Sequence, residues 1–431
     1  MKFKNTLTFA RKMDAQDSLR AFRREFHIPF AHGKRSIYFT GNSLGAQPKS
    51  VKKILLEELE DWAKLGVEGH FHARRPWLYY HRFAKKSLAK MVGAKRGEVI
   101  AMNQLTVNLH LLLASFYRPT SERFKIIAEA GAFSSDQYAL ETQLRWHNID
   151  PASALIEIQP RNGENTLRTS DIIEVIRQYS SQVALVLFGG VQYYTGQFFR
   201  IESITTAAHN VGAIAGFDLA HAVGNVPLSL HKHNVDFAVW CSYKYLNSGP
   251  GSIAGAFVHE KHGNEITLPR LGGWWGHDES ERFKMKKGFK PMPGINGWQV
   301  SNVPVFQAAA HLAALEIFDR AGMSAIRKKS ILLTGYLEYL LHETDPQQEY
   351  FTVITPTEVS ERGCQLSLLF HRYGKRIAAG LDKQSVLIDW REPNVMRIAP
   401  APLYNSFEDV FRFGIIFANE IRSLVLKSKR S

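Results

Sequence analysis

The sequence predicts an α/β fold, with a large and mostly parallel sheet flanked by helices, followed by a smaller α+β domain. From about residue 95 to residue 260, apolar strand-like runs alternate with helix-like segments. This alternation is typical of a parallel sheet with helices on both faces. The 431 residues are 45% hydrophobic and 22% charged, which is enough apolar material for a large core.

The alternating segments follow one another without repeats or low-complexity linkers. In order, they are the strand EVIAMN, the helix TVNLHLLLASF, the strand RFKIIAEAG, the helix DQYALETQLRWH, the strand ALIEIQP, the helix TSDIIEVIRQYS, the strand VALVLFGGV, the helix IESITTAAHNVG, and the strands AIAGFDLA and DFAVWCS. A long helix within residues 297–322 ends this pattern. The strand-like runs CQLSLLF, SVLIDW and NVMRIAP and a terminal helix then predict the smaller domain.

These changes of pattern suggest three parts. We expect residues 1–60 to form an N-terminal segment that packs with the small domain, residues 61–303 to form the large domain, and residues 304–431 to form the small one.

Composition excludes several classes of protein. No apolar run reaches about 18 residues, and the N-terminus is polar, so we expect no membrane span, no signal peptide and a cytoplasmic location. Two cysteines, Cys241 and Cys364, are too few for a disulfide framework or a four-cysteine zinc site, and we expect no metal. The net charge of +14 is dispersed, which favours small anionic ligands over nucleic acid.

Two polar residues stand at the ends of neighbouring apolar strands. Asp218 ends AIAGF, and Lys244 follows DFAVW, so parallel pairing would bring both to one edge of the sheet. Either residue alone has a simpler interpretation, a solvated loop lysine or an aspartate that caps a turn. Together they match what a pyridoxal 5'-phosphate (PLP) enzyme requires, a lysine that forms the Schiff base and a carboxylate that keeps the pyridine nitrogen protonated.

Other strand ends supply the rest of a PLP site. Leu105 and Thr106 begin an apolar helix whose free N–H groups and dipole favour a phosphate, although Thr106 could be only an N-cap. Phe133 follows the strand KIIAEA, where its ring could stack on a cofactor or simply belong to the core.

With these features the chain resembles the kynureninase family, which consists of PLP-dependent hydrolases of the aspartate aminotransferase fold type I. The resemblance extends from YFTGNSLGAQP to RIAPAPLYNSFEDV and is carried by LTVNLHLLL, YYTGQ, GFDLAHAVGN, CSYKYLNSGPG, RFKM and ERGCQLS. It implies hydrolysis of L-kynurenine or L-3-hydroxykynurenine to anthranilate or 3-hydroxyanthranilate plus L-alanine, a reaction of tryptophan catabolism and NAD biosynthesis. It also implies a homodimer.

The resemblance implies roles position by position. Lys244, Asp218 and Tyr243 would be catalytic, with Tyr243 carrying protons in the later steps. The implied cofactor-binding residues are Leu105, Thr106, Phe133, Ser134, Ser135, Asp136, Asp218, His221, Tyr243, Lys244, Trp274 and Asn302. The implied substrate-binding residues are Ser43, His70, Asn302 and Arg397, with the Arg397 guanidinium binding the α-carboxylate.

Two positions refine this expectation. Gly189 stands in FGGV where many members of the family have Ser in FSGV, so one hydroxyl contact to the cofactor is missing or is replaced by water. His70 and Asn302 can both exchange hydrogen bonds with a ring hydroxyl, which predicts 3-hydroxykynurenine as the better substrate; the alternative is that His70 belongs to a solvated basic loop.

Rival functions are less well supported by the residues. A different PLP enzyme of the same fold type, such as an aminotransferase or a cysteine desulfurase, remains the nearest, but a desulfurase needs a mobile nucleophilic cysteine, and both cysteines here adjoin apolar runs. No G-x-G-x-x-G lies between a strand and a helix near the start of the sheet, which disfavours a dinucleotide-binding fold. A binding protein for anions would not need Lys244 together with Asp218.

Overall fold

The computed structural model describes residues 2–428; residue 1 and residues 429–431, the ends of the first and last predicted segments, lie outside it. The helices are α1 (Leu7–Gln16), α2 (Ser50–Leu65), α3 (Gly69–His72), α4 (Lys85–Val92), α5 (Leu105–Phe116), α6 (Ser134–Trp146), α7 (Pro151–Ala154), α8 (Thr169–Gln178), α9 (Ile201–Asn210), α10 (Glu260–Gly263), α11 (Val305–Ala321), α12 (Met323–Thr344), α13 (Gly374–Lys383) and α14 (Phe407–Ser428).

Most of the longer strands fall where apolar or β-branched residues cluster. They are β1 (Phe26–His27), β2 (Phe30–Ala31), β3 (Lys34–Arg35), β4 (Ile37–Tyr38), β5 (Gln47–Pro48), β6 (Val99–Ala101), β7 (Lys125–Glu129), β8 (Leu155–Ile158), β9 (Val183–Gly189), β10 (Ile214–Asp218), β11 (Phe237–Trp240), β12 (Gly255–Val258), β13 (Phe351–Val353), β14 (Leu366–Phe370), β15 (Val386–Leu387), β16 (Asp389–Arg391) and β17 (Val395–Ile398).

The predicted large sheet is confirmed, with the strand order β6-β12-β11-β10-β9-β7-β8. The strands from β8 to β11 pair in parallel, whereas β12 pairs antiparallel with both β11 and β6. The central strands are buried on both faces because helices cover each side. This arrangement brings the carboxyl ends of β7, β9, β10 and β11 to one edge.

The C-terminal part contains an antiparallel sheet with the strand order β13-β14-β17-β16. The predicted strand SVLIDW divides in two: β15 pairs in parallel with β4 from the N-terminal segment, and only β16 joins the antiparallel sheet. Helix α1 packs on α14, and α2 packs on α11. Side chains of α11 belong to the core under the large sheet, and the division of the chain at residues 60 and 303 stays a prediction.

No helix within the described residues is both long and apolar enough to cross a membrane.

A buried ionic network fixes the start of β11 against β10, the two strands that lead to Lys244 and Asp218. Asp236 accepts hydrogen bonds from the Ala215 N–H at 2.7 Å and bonds to the Nε2 atoms of His209 and His262, each at 2.8 Å. Lys261 Nζ lies 2.7 Å from Asp236 Oδ1. Burial alone would raise the pKa of Asp236, but these hydrogen bonds and the Lys261 charge outweigh it and hold the pKa well below its usual range.

We therefore expect Asp236→Asn to lower the free energy of unfolding by about 2 kcal/mol at neutral pH, because a charged, multiply bonded acceptor is lost. A depressed pKa adds stability above the usual Asp value of about 4 and loses it as the pH falls further. The difference between Asp236→Asn and the parent should consequently shrink below about pH 4 in urea titrations. Asp171→Asn, which removes a surface pair with Arg161, is the matched control and should change little.

Candidate active site

A cavity opens where the carboxyl ends of the parallel strands meet, the place at which α/β sheets bind ligands. The structure brings most of the sequence-predicted cofactor residues together there. Those lining the cavity are Leu105, Thr106, Phe133, Ser135, Asp136, Asp218, His221, Tyr243 and Lys244.

Asp218 and Asp136 are buried carboxyl groups that line this cavity. Asp218 is the last residue of β10, and its neighbours in register are Gly189 on β9 and Val239 on β11. Its Oδ1 accepts the Ala220 N–H at 2.7 Å, so Asp218 does cap the following turn, as one interpretation of the sequence suggested. Asp136, in the first turn of α6, is equally buried. Asp218 therefore both caps this turn and contacts the carboxyl group of Asp136.

The two acids do not ionise alike. Burial raises the pKa of both, and the contact with Asp218 raises the pKa of Asp136 further. The charge of Lys244 and hydrogen bonds from Ala220 and Asp136 favour the ionised form of Asp218. Asp136 is therefore the acid that keeps its proton more readily, and Asp218 is the one that ionises more readily.

Lys244 lies in the loop directly after β11, as the strand pattern predicts. Its Nζ is 5.7 Å from the ring centroid of Phe133 and 5.9 Å from that of Tyr243. Its charge acts on both Asp136 and Asp218, yet it forms no salt bridge within the part of the chain that the structure describes. A lysine near buried acids but free of a direct ion pair is available for covalent chemistry.

The lysine loop is held from the N-terminal segment. The Gly45 N–H donates to the Tyr243 carbonyl at 2.8 Å, and a Cβ on Gly45 would lie 2.3 Å from the Lys244 carbonyl oxygen. Glycine is required here because any side chain would collide with this backbone. Ser43, predicted to bind substrate, belongs to the same turn, and its N–H donates to the Thr40 carbonyl at 2.9 Å.

Two helix N-termini converge on one side of the cavity. Helices α5 and α6 both begin without a side-chain cap, so the N–H groups of their first turns are available to a ligand. Thr106 Oγ1 and Ser135 Oγ, from the two first turns, are 2.6 Å apart. Two uncapped helix N-termini and a pair of hydroxyls form a favourable site for a phosphate.

His221 and Tyr243 are both neutral in this environment. Burial, together with the charges of Lys244, Arg397 and Arg391, lowers the pKa of His221 well below its usual value. Burial raises the pKa of Tyr243, and its neighbour Cys241 raises it further. Tyr243 is therefore a phenol that can donate a proton, and His221 is an imidazole without charge.

Arg397 lies behind the cavity rather than in its lining. It is almost fully buried on β17, pairs with Asp389 on β16, and donates from Nη1 to the Tyr193 carbonyl at 2.8 Å. Tyr193 itself lines the cavity, and its ring meets that of Phe133 edge-on at 5.3 Å. Asp389 and the Tyr193 carbonyl thus fix the arginine that was predicted to bind substrate, and Tyr193 lies between it and Phe133.

Besides Arg397 and Ser43, four predicted residues do not line the cavity of this single chain. Ser134 is exposed at the start of α6, and Asn302 is exposed before α11. Trp274 is 47% exposed, and its Nε1 donates to the Arg282 carbonyl at 3.0 Å. His70 bonds through Nδ1 to the Val67 carbonyl at 3.0 Å and packs edge-on against Trp77.

Sequence reasoning missed two polar residues of the cavity, Glu129 and Tyr193. Glu129 ends the strand KIIAE, and Tyr193 follows β9 in the block VQYYTGQ. The same rule that selected Asp218, a polar residue at the end of an apolar parallel strand, would have found Glu129.

Both cysteines are buried thiols. Burial raises the pKa of Cys241, and it raises the pKa of Cys364 to about 12. Neither thiol supplies the thiolate that a desulfurase mechanism needs.

Outside the cavity, Glu98, His231 and His259 place potential metal ligands close together. The ligand atoms of all three residues already form contacts within the protein. His231 Nδ1 lies 2.9 Å from Glu98 Oε1, which also accepts the Glu260 N–H, and His259 Nδ1 accepts the Lys261 N–H. These hydrogen bonds cap the start of α10.

The cavity fits PLP on the chemistry of its groups. An Asp136 oxygen and the His221 Nδ1 atom are buried without a hydrogen-bond partner among the described residues. A protonated ring nitrogen matches the charge of Asp218, a phosphate matches the two helix N-termini, and Lys244 supplies the amine. Each part of the cofactor therefore has its own partner in the cavity.

Solved structures with a similar fold include two cysteine desulfurases. An apo cysteine desulfurase from Thermococcus onnurineus NA1 superposes with a TM-score of 0.77 at 18% identity over 94% of this chain and 98% of that one. The cysteine desulfurase CsdA from Escherichia coli gives a TM-score of 0.75 at 16% identity over 95% and 99%. At this identity the likeness concerns the fold alone, and it confirms the predicted fold type I architecture.

Sequence relatives are more informative. The family model described as the kynureninase C-terminal domain matches residues 326–417. The kynureninase of Myxococcus xanthus (strain DK1622) is 53% identical over 95% of this chain and 96% of its own length. The kynureninase of Flavobacterium psychrophilum is 52% identical over 98% of this chain and 99% of its own. Identity at this level over nearly the whole of both chains means that the chain belongs to the kynureninase family.

Proposed function

We propose that this chain is a PLP-dependent hydrolase that cleaves L-kynurenine and L-3-hydroxykynurenine to anthranilate or 3-hydroxyanthranilate plus L-alanine. The observation that carries the proposal is the cavity in which Lys244, the Asp136–Asp218 pair and the N-termini of α5 and α6 converge. The names of its relatives support the choice of substrate.

Different residues of the cavity would bind different parts of the cofactor. Lys244 would bind it covalently, Asp218 would pair with its ring nitrogen, and Thr106 and Ser135 would bind the phosphate between the two helix starts. Phe133 would lie against the ring. When bound, PLP supplies an electron sink that stabilises negative charge on carbons next to the substrate amine.

The chain's own groups then move protons. Lys244 Nζ would take the proton from the substrate Cα and would return a proton to that carbon after the cleavage, while Asp218, hydrogen-bonded by Asp136, would stabilise positive charge at the ring nitrogen. Water would add to the γ-carbonyl and the Cβ–Cγ bond would break, so that the aryl acid leaves with the oxygen of the water and Cβ takes up a proton. Tyr243, a neutral phenol beside Lys244, is the donor best placed for this last transfer.

Substrate recognition rests on more distant residues. Arg397 would bind the α-carboxylate; the pairing with Asp389 and the Tyr193 carbonyl fixes the plane of its guanidinium. Ser43 would approach from the turn that holds the Lys244 loop. The place in tryptophan catabolism or NAD biosynthesis and the cytoplasmic location remain predictions.

A homodimer would complete the site. Exposed apolar side chains form a face on α2 and α11, with Leu56, Leu59, Trp62 and Phe306 more than a third exposed and the rings of Trp62 and Phe306 6.1 Å apart. Apolar faces of this kind mark protein contacts. Burying it against a second copy would also let exposed residues such as Trp274 and Asn302 reach the partner's cavity.

The central test follows release of the fluorescent aryl acid. We expect the protein loaded with PLP to release it from both substrates, and Asp218→Asn to lower kcat by about a thousandfold while the phosphate site still retains cofactor. Asp171→Asn, on the surface, is the control. Activity of Asp218→Asn within about tenfold of the parent would leave Asp218 with only its capping role.

The second expectation concerns assembly. Light scattering should give twice the chain mass, and mixing Lys244→Ala with Asn302→Ala, after subunits exchange, should raise the activity above that of the same amount of Asn302→Ala alone, because one cavity in each mixed dimer has both native residues. A fully active monomer would contradict the proposal.

The third expectation concerns the substrate ring. If His70 and Asn302 reach the aryl pocket, their polar groups are left unpaired by kynurenine, so kcat/KM should favour 3-hydroxykynurenine. His70→Phe combined with Asn302→Thr should reduce that ratio, whereas His72→Phe, on the exposed side of the same short helix, should not. A parent ratio that favours kynurenine would refute this role for both residues.

A further inference from the structure

Glu129 is a buried carboxyl group in the cavity to which the proposed mechanism gives no task. It is the last residue of β7, only 4% exposed, and it lines the cavity together with Asp218. Its Oε2 accepts the Gly189 N–H at 2.8 Å. Strand β9, which carries Gly189, lies between β7 and β10, so the two acids flank this glycine.

The missing side chain of Gly189 gives Glu129 its position. A Cβ built on Gly189 would lie 2.9 Å from Glu129 Oε1, too close for both to keep their places. Glu129 Oε1 therefore occupies the space that a side chain at position 189 would take. That space is next to Asp218, which is in register with Gly189.

The groups around Glu129 disfavour its ionised form. The titratable residues lining the same cavity are Asp136 on α6, Asp218 on β10, His221 in the following turn, Tyr193 after β9, and Tyr243 and Lys244 after β11. Burial raises the pKa of Glu129 to about 7; the Gly189 N–H lowers it, and the charge of Asp218 raises it. Near neutral pH the Glu129 carboxyl therefore gains or loses a proton; it can donate a hydrogen bond when protonated and can only accept when ionised.

We propose that Glu129 is a further cofactor-binding residue: its protonated carboxyl fills the space beside Gly189 and donates a hydrogen bond into the cavity next to Asp218. This inference rests on the proposed function, since it takes PLP as the ligand. It has a specific consequence: binding of PLP takes up a proton at Glu129 whenever the pH is above the pKa of that carboxyl in the free protein.

Glu129→Gln separates this role from a structural one. The amide keeps an oxygen for the Gly189 N–H and has a permanent N–H donor for the cavity, so it mimics the protonated acid. The full-length holoenzyme would be dialysed to equilibrium against PLP at pH values from 6 to 8.5, and the Kd would be taken from the absorbance of the bound cofactor. Titration of PLP itself affects both proteins equally and cancels in their ratio.

We expect the two Kd values to agree at pH 6, and the parent to bind about tenfold more weakly than Glu129→Gln at pH 8, one unit above a pKa of about 7. Glu157→Gln, on the exposed face of the neighbouring strand β8, should follow the parent at every pH. A ratio that stays constant from pH 6 to 8.5 would overturn the inference. A parent protein that binds no PLP at any pH would instead overturn the proposed function.

Gly189→Ala tests the same contact if Glu129→Gln does not fold. The added methyl displaces Glu129 Oε1, so the donor is lost at every pH. PLP binding should be weakened more at pH 6, where the parent already holds the proton, than at pH 8.5. Equal weakening at both pH values would indicate a purely steric effect and refute the role of Glu129.

Discussion

A negative charge buried at the end of β10 is the constraint on which the site depends. Asp218 is almost completely buried, and an isolated carboxylate there would be expensive. Hydrogen bonds from the Ala220 N–H and from Asp136 and the nearby charge of Lys244 reduce that cost. A cofactor with a cationic ring nitrogen would reduce it further, so the arrangement that stabilises the charge would also favour that ligand.

Contacts in the neighbouring elements fix the positions of Asp218 and Lys244. The Asp236 network fixes β11 to β10 at their starts, which sets where both strands end. The Gly45 turn holds the Lys244 loop from the N-terminal side. The N-termini of α5 and α6 come together at the other side of the cavity, so a phosphate and a ring nitrogen would bind at separate places on rigid elements.

The sequence predicted the parts of this site that follow from strand ends. The alternation of apolar strands and helices located Asp218, Lys244, Thr106 and Phe133 because parallel strands bring their carboxyl ends to one edge. It did not predict the pairing of Arg397 with Asp389 or the joining of β15 to β4, since both depend on contacts between distant segments. Trp274, which the resemblance assigned to the cofactor site, lies on the exposed surface instead.

The most direct test of the account is where the cofactor is attached. The loaded protein should be yellow, and borohydride should abolish the visible band and fix one PLP per chain on the peptide that contains Lys244. Lys244→Ala should retain no cofactor after the same treatment, while Lys383→Ala, on the exposed face of α13, should behave like the parent. Covalent label on another lysine, or a colourless protein that PLP cannot reconstitute, would contradict the account.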